Sequence, residues 1–228
     1  VLLTASQVNE SGFTGSPLVL TDDSLLVPGA DATRKVGTIY HYVPSTKTLT
    51  VWGTDQRGTN YGTGLLLDAQ GNVLTLGTIF NATGTMSQVA SWVVTYGVIT
   101  PTAYFAINNG QTGFVEMCLD GTGSMPYGSG ITDGYGLAVG TDGALYSSQG
   151  NHNPANVWKL PQGGLTATSI ATVPMDVTAV VADPSGNYLY LAGFGDGNTV
   201  WRVGTSTGAK VVYGCDTTGS TRACGATM

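Results

Sequence analysis

The feature that most constrains this chain is a recurring unit: an apolar run, a turn of Asp, Ser, Asn and Gly, then a second apolar run. Its clearest copy is TAVVADPSGNYLYLAGFGDGNTVWRVGTSTGAKVVYG, from Thr178 to Gly214. This stretch predicts four short strands, Ala179–Ala182, Tyr188–Ala192, Val200–Val203 and Lys210–Tyr213. The joints between them are turn chemistry, because Gly tolerates positive φ while Asn and Ser bond back to their own backbone. Four strands within about 36 residues is the size of one β-propeller blade.

The hairpin repeats. Its copies read LVLTDDSLLVPG from Leu18, LLLDAQGNVLTLG from Leu65, LAVGTDGALYSS from Leu137 and VVADPSGNYLYLAG from Val180. Asp and Gly at the joints are hairpin signals, and the alternation in NYLYLAG has the period of a strand. Aromatic residues give a second register mark on the expected third strand: Tyr40, Trp92, Trp158 and Trp201, the last two followed by Lys159 and Arg202. These rings are expected to pack between neighbouring blades. Between Val98 and Gly136 the register breaks, and no full four-strand set fits; a short blade or an extra hairpin is expected there. No window carries a capped, Gly-poor helical period. The expected fold is all-β, a propeller of about five four-stranded blades, one of them irregular. It is read as one domain over 1–228 with a short C-terminal tail, 215–228. The opening VLLTASQV is expected to close the ring as a strand of the last blade, or to pair with a neighbour's edge.

Composition narrows the function. Only 8 Lys and Arg residues stand against 14 Asp and Glu, a net charge of −6. Phosphate contacts need clustered cations, so nucleic acid and anionic membrane surfaces are disfavoured. No run reaches the roughly 18 apolar residues of a membrane span. Charged residues make up only 10% of the chain and Gly numbers 34, a balance expected of a secreted or cell-surface protein. The start at Val1 fits either a removed leader or a piece of a longer chain. Of the three cysteines, Cys215 and Cys224 enclose the polar loop DTTGSTRA and are expected to form a disulfide in an exported protein. Cys118 has apolar neighbours in GFVEMCLDG and is expected to be buried. No CxxC pair supports a zinc site. Asn9-Glu-Ser11 and Asn81-Ala-Thr83 fit the N-glycosylation pattern, which matters only in a eukaryotic secretory setting.

The copies LAVGTDGALYSS…NVWKLPQGG and VVADPSGNYLYLAG…TVWRVGTSTG resemble the NHL-repeat and gluconolactonase-like propellers. The resemblance covers these two copies well, those at Leu18 and Leu65 in part, and 98–136 poorly. It implies the propeller fold. It also implies that an enzyme of this kind would hold a divalent metal or a catalytic His in the central channel. No such ligand set maps onto this sequence residue by residue.

In a propeller, the loops joining strand two to three and blade to blade crowd one end, where a rigid scaffold places functional side chains. Here they are expected at Pro28–Val36, Gly77–Gln88, Ser148–Ala155 and Gly193–Asn198, with Asp55–Gly64, Gly128–Tyr135 and Pro174–Val177 between blades. The candidate ligand-binding residues are Arg57, Asn60, Tyr61, Asp133, Tyr135, His152, Asn153, Asp196 and Asn198; Asp176 shares the same loops. Such a set suits a sugar, or a divalent cation such as Ca2+ held by oxygen ligands. His152 is the candidate base, although a loop His in a Gly/Asn-rich turn is commonly just solvated; His41, on a strand, is expected to pack or face solvent. No nucleophile elbow or phosphate loop occurs, and the carboxylates, scattered singly on turns, nominate no pair from sequence alone. The leading expectation is therefore a non-catalytic extracellular module for recognition, adhesion or assembly, with surface proteins or glycans as partners. A metal-dependent lactonase or lyase and a lectin using Tyr61 and Tyr135 are the alternatives.

Overall fold

The structure, a computed structural model, describes residues 10–13, 17–31, 37–55, 65–75, 78–88, 96–107, 113–119, 123–194 and 199–215. They form five antiparallel sheets in chain order, with no helix among them. The first sheet holds β1 (Glu10–Phe13), β2 (Leu18–Val19), β3 (Leu25–Asp31), β4 (Gly37–Val43) and β5 (Thr48–Asp55). β1 and β2 share one position: Phe13 lies opposite Gly29 and Leu18 opposite Leu26, both on β3, so this sheet is a four-position blade with a divided first strand. The second sheet runs β6 (Leu66–Leu67), β7 (Val73–Thr75), β8 (Thr78–Phe80), β9 (Met86–Gln88), and the third β10 (Tyr96–Ile99), β11 (Ala103–Ile107), β12 (Phe114–Cys118), β13 (Ser124–Tyr127). The fourth is β14 (Gly134–Val139), β15 (Leu145–Gln149), β16 (Ala155–Leu160), β17 (Thr168–Val173), and the fifth β18 (Asp176–Ala182), β19 (Tyr188–Phe194), β20 (Thr199–Gly204), β21 (Lys210–Cys215). The expected blade unit over 178–214 is thus present, each strand extended by a few residues.

The first hairpin of each repeat closes for the reason its residues suggest. In the fourth sheet, Ala144 N–H donates to Asp142 Oδ1 at 3.1 Å and Gly140 N–H to the Ala144 carbonyl at 2.9 Å, while Gly143 takes φ +71. In the second, Asp68 is only 6% exposed and its carboxylate accepts from Gln70 N–H at 2.9 Å, Asn72 N–H at 2.7 Å and Asn72 Nδ2 at 2.7 Å. In the first, Ser24 Oγ donates to Asp22 Oδ1 at 2.6 Å, and His41 Nε2 lies 2.8 Å from Ser24 Oγ. Because the hydroxyl proton is committed to Asp22, His41 must be the donor. His41 therefore neither faces bare solvent nor acts on Ser24 as a base; it ties β4 to the turn.

Three expectations fail. The stretch 98–136 holds a complete blade, β10 to β13, whose first turn is Thr100-Pro101-Thr102 instead of an Asp-to-Gly turn. Trp92 lies outside the described residues; the third strand of the second sheet is β8, which carries Phe80. Consequently Gly77–Gln88 is not a strand-two-to-three loop, since it contains β8, β9 and the Asn81–Thr85 turn between them. Cys118, finally, is exposed. It is the last residue of β12.

The chain divides into two compact units. The first, Val1–Thr95 with Pro101–Tyr104 and Met117–Ser124, contains the first two sheets. Their core is Leu26 and Ile39 packed on Leu65, Val73 and Phe80, with Trp52 against Phe80 at 5.9 Å between ring centroids. The second unit, Tyr96–Thr100, Phe105–Glu116 and Met125–Met228, contains the last two sheets and most of the third. There Ile107 and Phe114 pack on Leu137, Leu145 and Leu160, and Tyr146 and Val157 pack on Val177, Leu189, Leu191 and Val203. The expected packing of aromatics between blades holds for Trp158 and Trp201, each partly buried against one of these clusters. Their Nε1 atoms are buried without a hydrogen-bond partner among the described residues. Within each unit, therefore, sheet packs on sheet, as blades do.

Candidate functional site

Within the second unit, three connections meet at one end of the fourth and fifth sheets. They are the residues leading into β14, the β15–β16 loop 150–154, and the start of β18. Register brings them together: Gly134 lies opposite Gln149, so the first residue of β14 abuts the last of β15. Gly150 N–H donates to the Asp133 carbonyl at 2.8 Å, and Asn151 N–H donates to Asp176 Oδ1 at 2.7 Å. Asp133 and Asn151 both hold positive φ, 50° and 57°, a conformation that Asx side chains tolerate better than most. Gly150 is required for space, because a Cβ there would sit 2.1 Å from the Tyr135 ring. A bulge between Tyr135 and Leu137 turns Tyr135 toward that loop.

The chemical centre is Asp133 with His152. Asp133 Oδ2 and His152 Nε2 are 3.0 Å apart, with side chains 43% and 45% exposed. The carboxylate fixes the imidazole through Nε2 and leaves Nδ1 without this constraint. Around the pair, Asn151 Nδ2 donates to the Tyr135 hydroxyl at 3.4 Å, and Gln149 Nε2 to Thr132 Oγ1 at 3.3 Å. Asn153, the other expected residue of the loop, is exposed and precedes a cis bond to Pro154.

Of the sequence candidates, Asp133, Tyr135, His152 and Asp176 are brought into one hydrogen-bonded cluster, with Asn153 beside it. Arg57, Asn60, Tyr61, Asp196 and Asn198 lie outside the described residues, as does Cys224, and the side chain of Cys215 is not described. There is no disulfide among the described residues. Sequence reasoning missed Asn151, which joins both Tyr135 and Asp176. Its signal was the Gly-Asn step at the end of a strand, where a left-handed residue is common. His152 is not simply solvated, as a Gly/Asn-rich turn suggested. Among the described residues no three His, Cys, Asp or Glu side chains gather closely enough to hold a metal ion, so no step is assigned to one.

The opposite end of the fourth sheet carries a different, structural cluster. Lys159 Nζ donates to Asp142 Oδ2 at 2.9 Å and lies 5.3 Å from the centre of the Tyr146 ring. Partial burial opposes ionisation of Asp142, but the hydrogen bonds from Lys159 and Ala144 outweigh it and hold the carboxyl below its ordinary value. Lys159 is raised, first by its contact with the Tyr146 hydroxyl and then by Asp142.

At the level of sequence, no protein-family model and no curated protein matches the chain. Solved structures do match. A gluconolactonase from Xanthomonas campestris aligns over 90% of this chain and 76% of its own, with a TM-score of 0.62 at 15% identity. A PQQ-bound aldose sugar dehydrogenase from Streptomyces coelicolor aligns over 90% and 84%, at 0.56 and 16%. The hydrazine synthase of Kuenenia stuttgartiensis aligns over 89% and 67%, at 0.69 and 10%. Three different chemistries at such identities mark a shared scaffold and not a shared reaction. The chain is a β-propeller with a fold-level resemblance to the gluconolactonase-like propellers.

Proposed function

We propose that this propeller is a recognition module that binds a small polyhydroxylated ligand, a sugar or sugar acid, on the loop cluster around Asp133 and His152. The observation that carries the reading is the half-exposed Asp133–His152 pair, held at 3.0 Å by the connection into β14 and the β15–β16 loop. A sugar hydroxyl both donates and accepts. The cluster offers both: carboxylate oxygens at Asp133 and Asp176, an imidazole nitrogen, and the Asn151 and Asn153 amides. Low charge and abundant Gly support an exported setting for such a module. Calorimetry or NMR titration with a panel of neutral and acidic monosaccharides and their lactones tests the reading. Wild type should bind at least one class, and Asp133→Asn and His152→Ala should each weaken it by about tenfold or more, the loss of a charge-assisted hydrogen bond. A wild type that binds none sinks it.

One observation favours a second reading. A carboxylate that orients an imidazole is also a general-base arrangement. His152 would take a proton from water as the water oxygen attacks a lactone carbonyl. The acyl–oxygen bond of the ring then breaks, and the leaving oxygen takes the proton to give the hydroxy acid. Titration of acid release from an aldonolactone, above the spontaneous rate, separates the readings: binding without turnover supports recognition, and turnover abolished in His152→Ala supports hydrolysis.

A further inference from the structure

The charges around the Asp133–His152 pair do not balance. Two carboxylates stand at one short loop. Gly150 N–H donates to the Asp133 carbonyl, and Asn151 N–H, the next amide along, donates to Asp176 Oδ1 at 2.7 Å. The start of that loop is therefore pinned between the two aspartates. Asp133 has the His152 imidazole as a partner at 3.0 Å. A carboxylate beside an imidazole has no net positive charge, whether the ring is neutral or protonated. Asp176 meets no cation among the described residues. Its printed partner is a backbone amide, which has a donor to give and no net charge.

No counter-charge is held in reserve. Among the described residues of the second unit, the Lys and Arg side chains are Lys159, Arg202 and Lys210, and each is committed elsewhere. Lys159 Nζ lies 2.9 Å from Asp142 Oδ2, at the opposite end of the fourth sheet. The Arg202 guanidinium lies 4.5 Å from the centre of the Tyr188 ring. Tyr188 pairs with Gly204 at one end of the fifth sheet, whereas Asp176 pairs with Phe194 at the other. Lys210 Nζ donates to the Thr172 carbonyl on β17. A site shaped for a carboxylate ligand uses Arg or Lys, and this one has neither. An anion here would meet negative charge in a half-exposed setting that water screens only in part.

We propose, resting on the reading of this cluster as a polyol site, that it excludes anions: it takes neutral or amine-bearing sugars, rejects sugar acids, and Asp176 sets that selectivity. Asp176 and not Asp133 is the determinant, because its charge is the one without a partner. An ammonium group on the ligand supplies the missing partner, donating to carboxylate oxygens already in place.

Glucose, glucosamine and glucuronate, with the matching galactose series, differ in charge on a common ring. Calorimetric or NMR titration of the full chain with these probes reads the selectivity. The acids should bind at least about tenfold more weakly than the neutral and amine-bearing sugars at low ionic strength. Added salt should narrow that gap by screening the repulsion. Asp176→Asn keeps an oxygen for Asn151 N–H and removes the charge. It should narrow the ratio of neutral to acid affinity by about tenfold, whatever the absolute affinities do. Asp183 follows β18 at the end away from Asp176, so Asp183→Asn takes the same charge from the chain's total of −6 and should leave the ratio unchanged. Acids bound as tightly as neutral sugars overturn the proposal and leave the polyol reading standing. A ratio indifferent to salt, or one that both variants shift equally, overturns it as well. If none of these probes binds, the selectivity is overturned; the polyol reading falls only if the whole monosaccharide panel fails too.

Discussion

Gly150 shows how a single missing Cβ shapes the site. Its neighbour is the Tyr135 ring, 2.1 Å from where that atom would stand. Gly150→Ala must therefore push either the ring or the 150–154 loop, and overpacking of this kind costs about 1–3 kcal/mol. Chemical denaturation should show that loss, together with weaker ligand binding, because Asn151 and His152 ride on the same loop. Asp142 and Lys159 act at the other end of the blade with a definite sign. The carboxyl is held below its ordinary 3.8, so its contribution is present above that pH and is lost as pH falls through the folded value. Lys159→Met removes the partner. Between about pH 4 and about pH 2 the variant should lose less stability than wild type. Because the pair is partly solvated, the difference should be only about 0.2–1 kcal/mol, measurable by denaturant melts at each pH.

The hairpin is the element that decides what could be read from the chain. Where the turn is written in Asp, Ser and Gly, as at Asp68–Gly71, Asp142–Gly143 and Asp183–Gly186, the strands on both sides were found, because the side chain itself closes the turn. Asp68 illustrates the strength of this device: it is nearly buried and accepts three hydrogen bonds from residues within four positions. Asp68→Ala strands two backbone donors and should cost about 2–3 kcal/mol, read as a shift of the denaturation midpoint. Asp68→Asn should recover part of it. The third blade was missed for the converse reason. Its first turn is built on Pro101, and a Thr-Pro-Thr sequence announces a hairpin less plainly than an Asp-to-Gly pair. The third strand of the second blade was placed too late because the apolar run ending in Phe80, which packs in its core, and the run around Trp92 cannot be ranked without the sheet. The site was half legible. Loops around His152 and Asp133 could be placed at one end from strand order alone. Their direct pairing could not, since it depends on left-handed residues at Asp133 and Asn151 that bend two loops toward each other.

At the scale of the whole molecule, stability should follow the faces between sheets. In the fifth sheet, side chains alternate between a face buried against the fourth sheet and the opposite, more exposed face. Leu189 and Leu191 are fully buried on the first, while Val181 is 61% exposed on the second. Burial, not residue type, should set the cost. Leu191→Ala opens a cavity between two sheets and should cost about 2–5 kcal/mol. Val181→Thr, a substitution in the same sheet that keeps β-branching and touches no core atom, should stay within about 0.5 kcal/mol. The comparison also tests the architecture. A chain built of stacked sheets carries its core between them, so a small cut at an interface should outweigh any change on an outer face. If both variants melt together with wild type, the core assigned to the fourth and fifth sheets is not what holds them. If Val181→Thr costs as much as Leu191→Ala, its side chain is covered in solution and the exposed face is not exposed there.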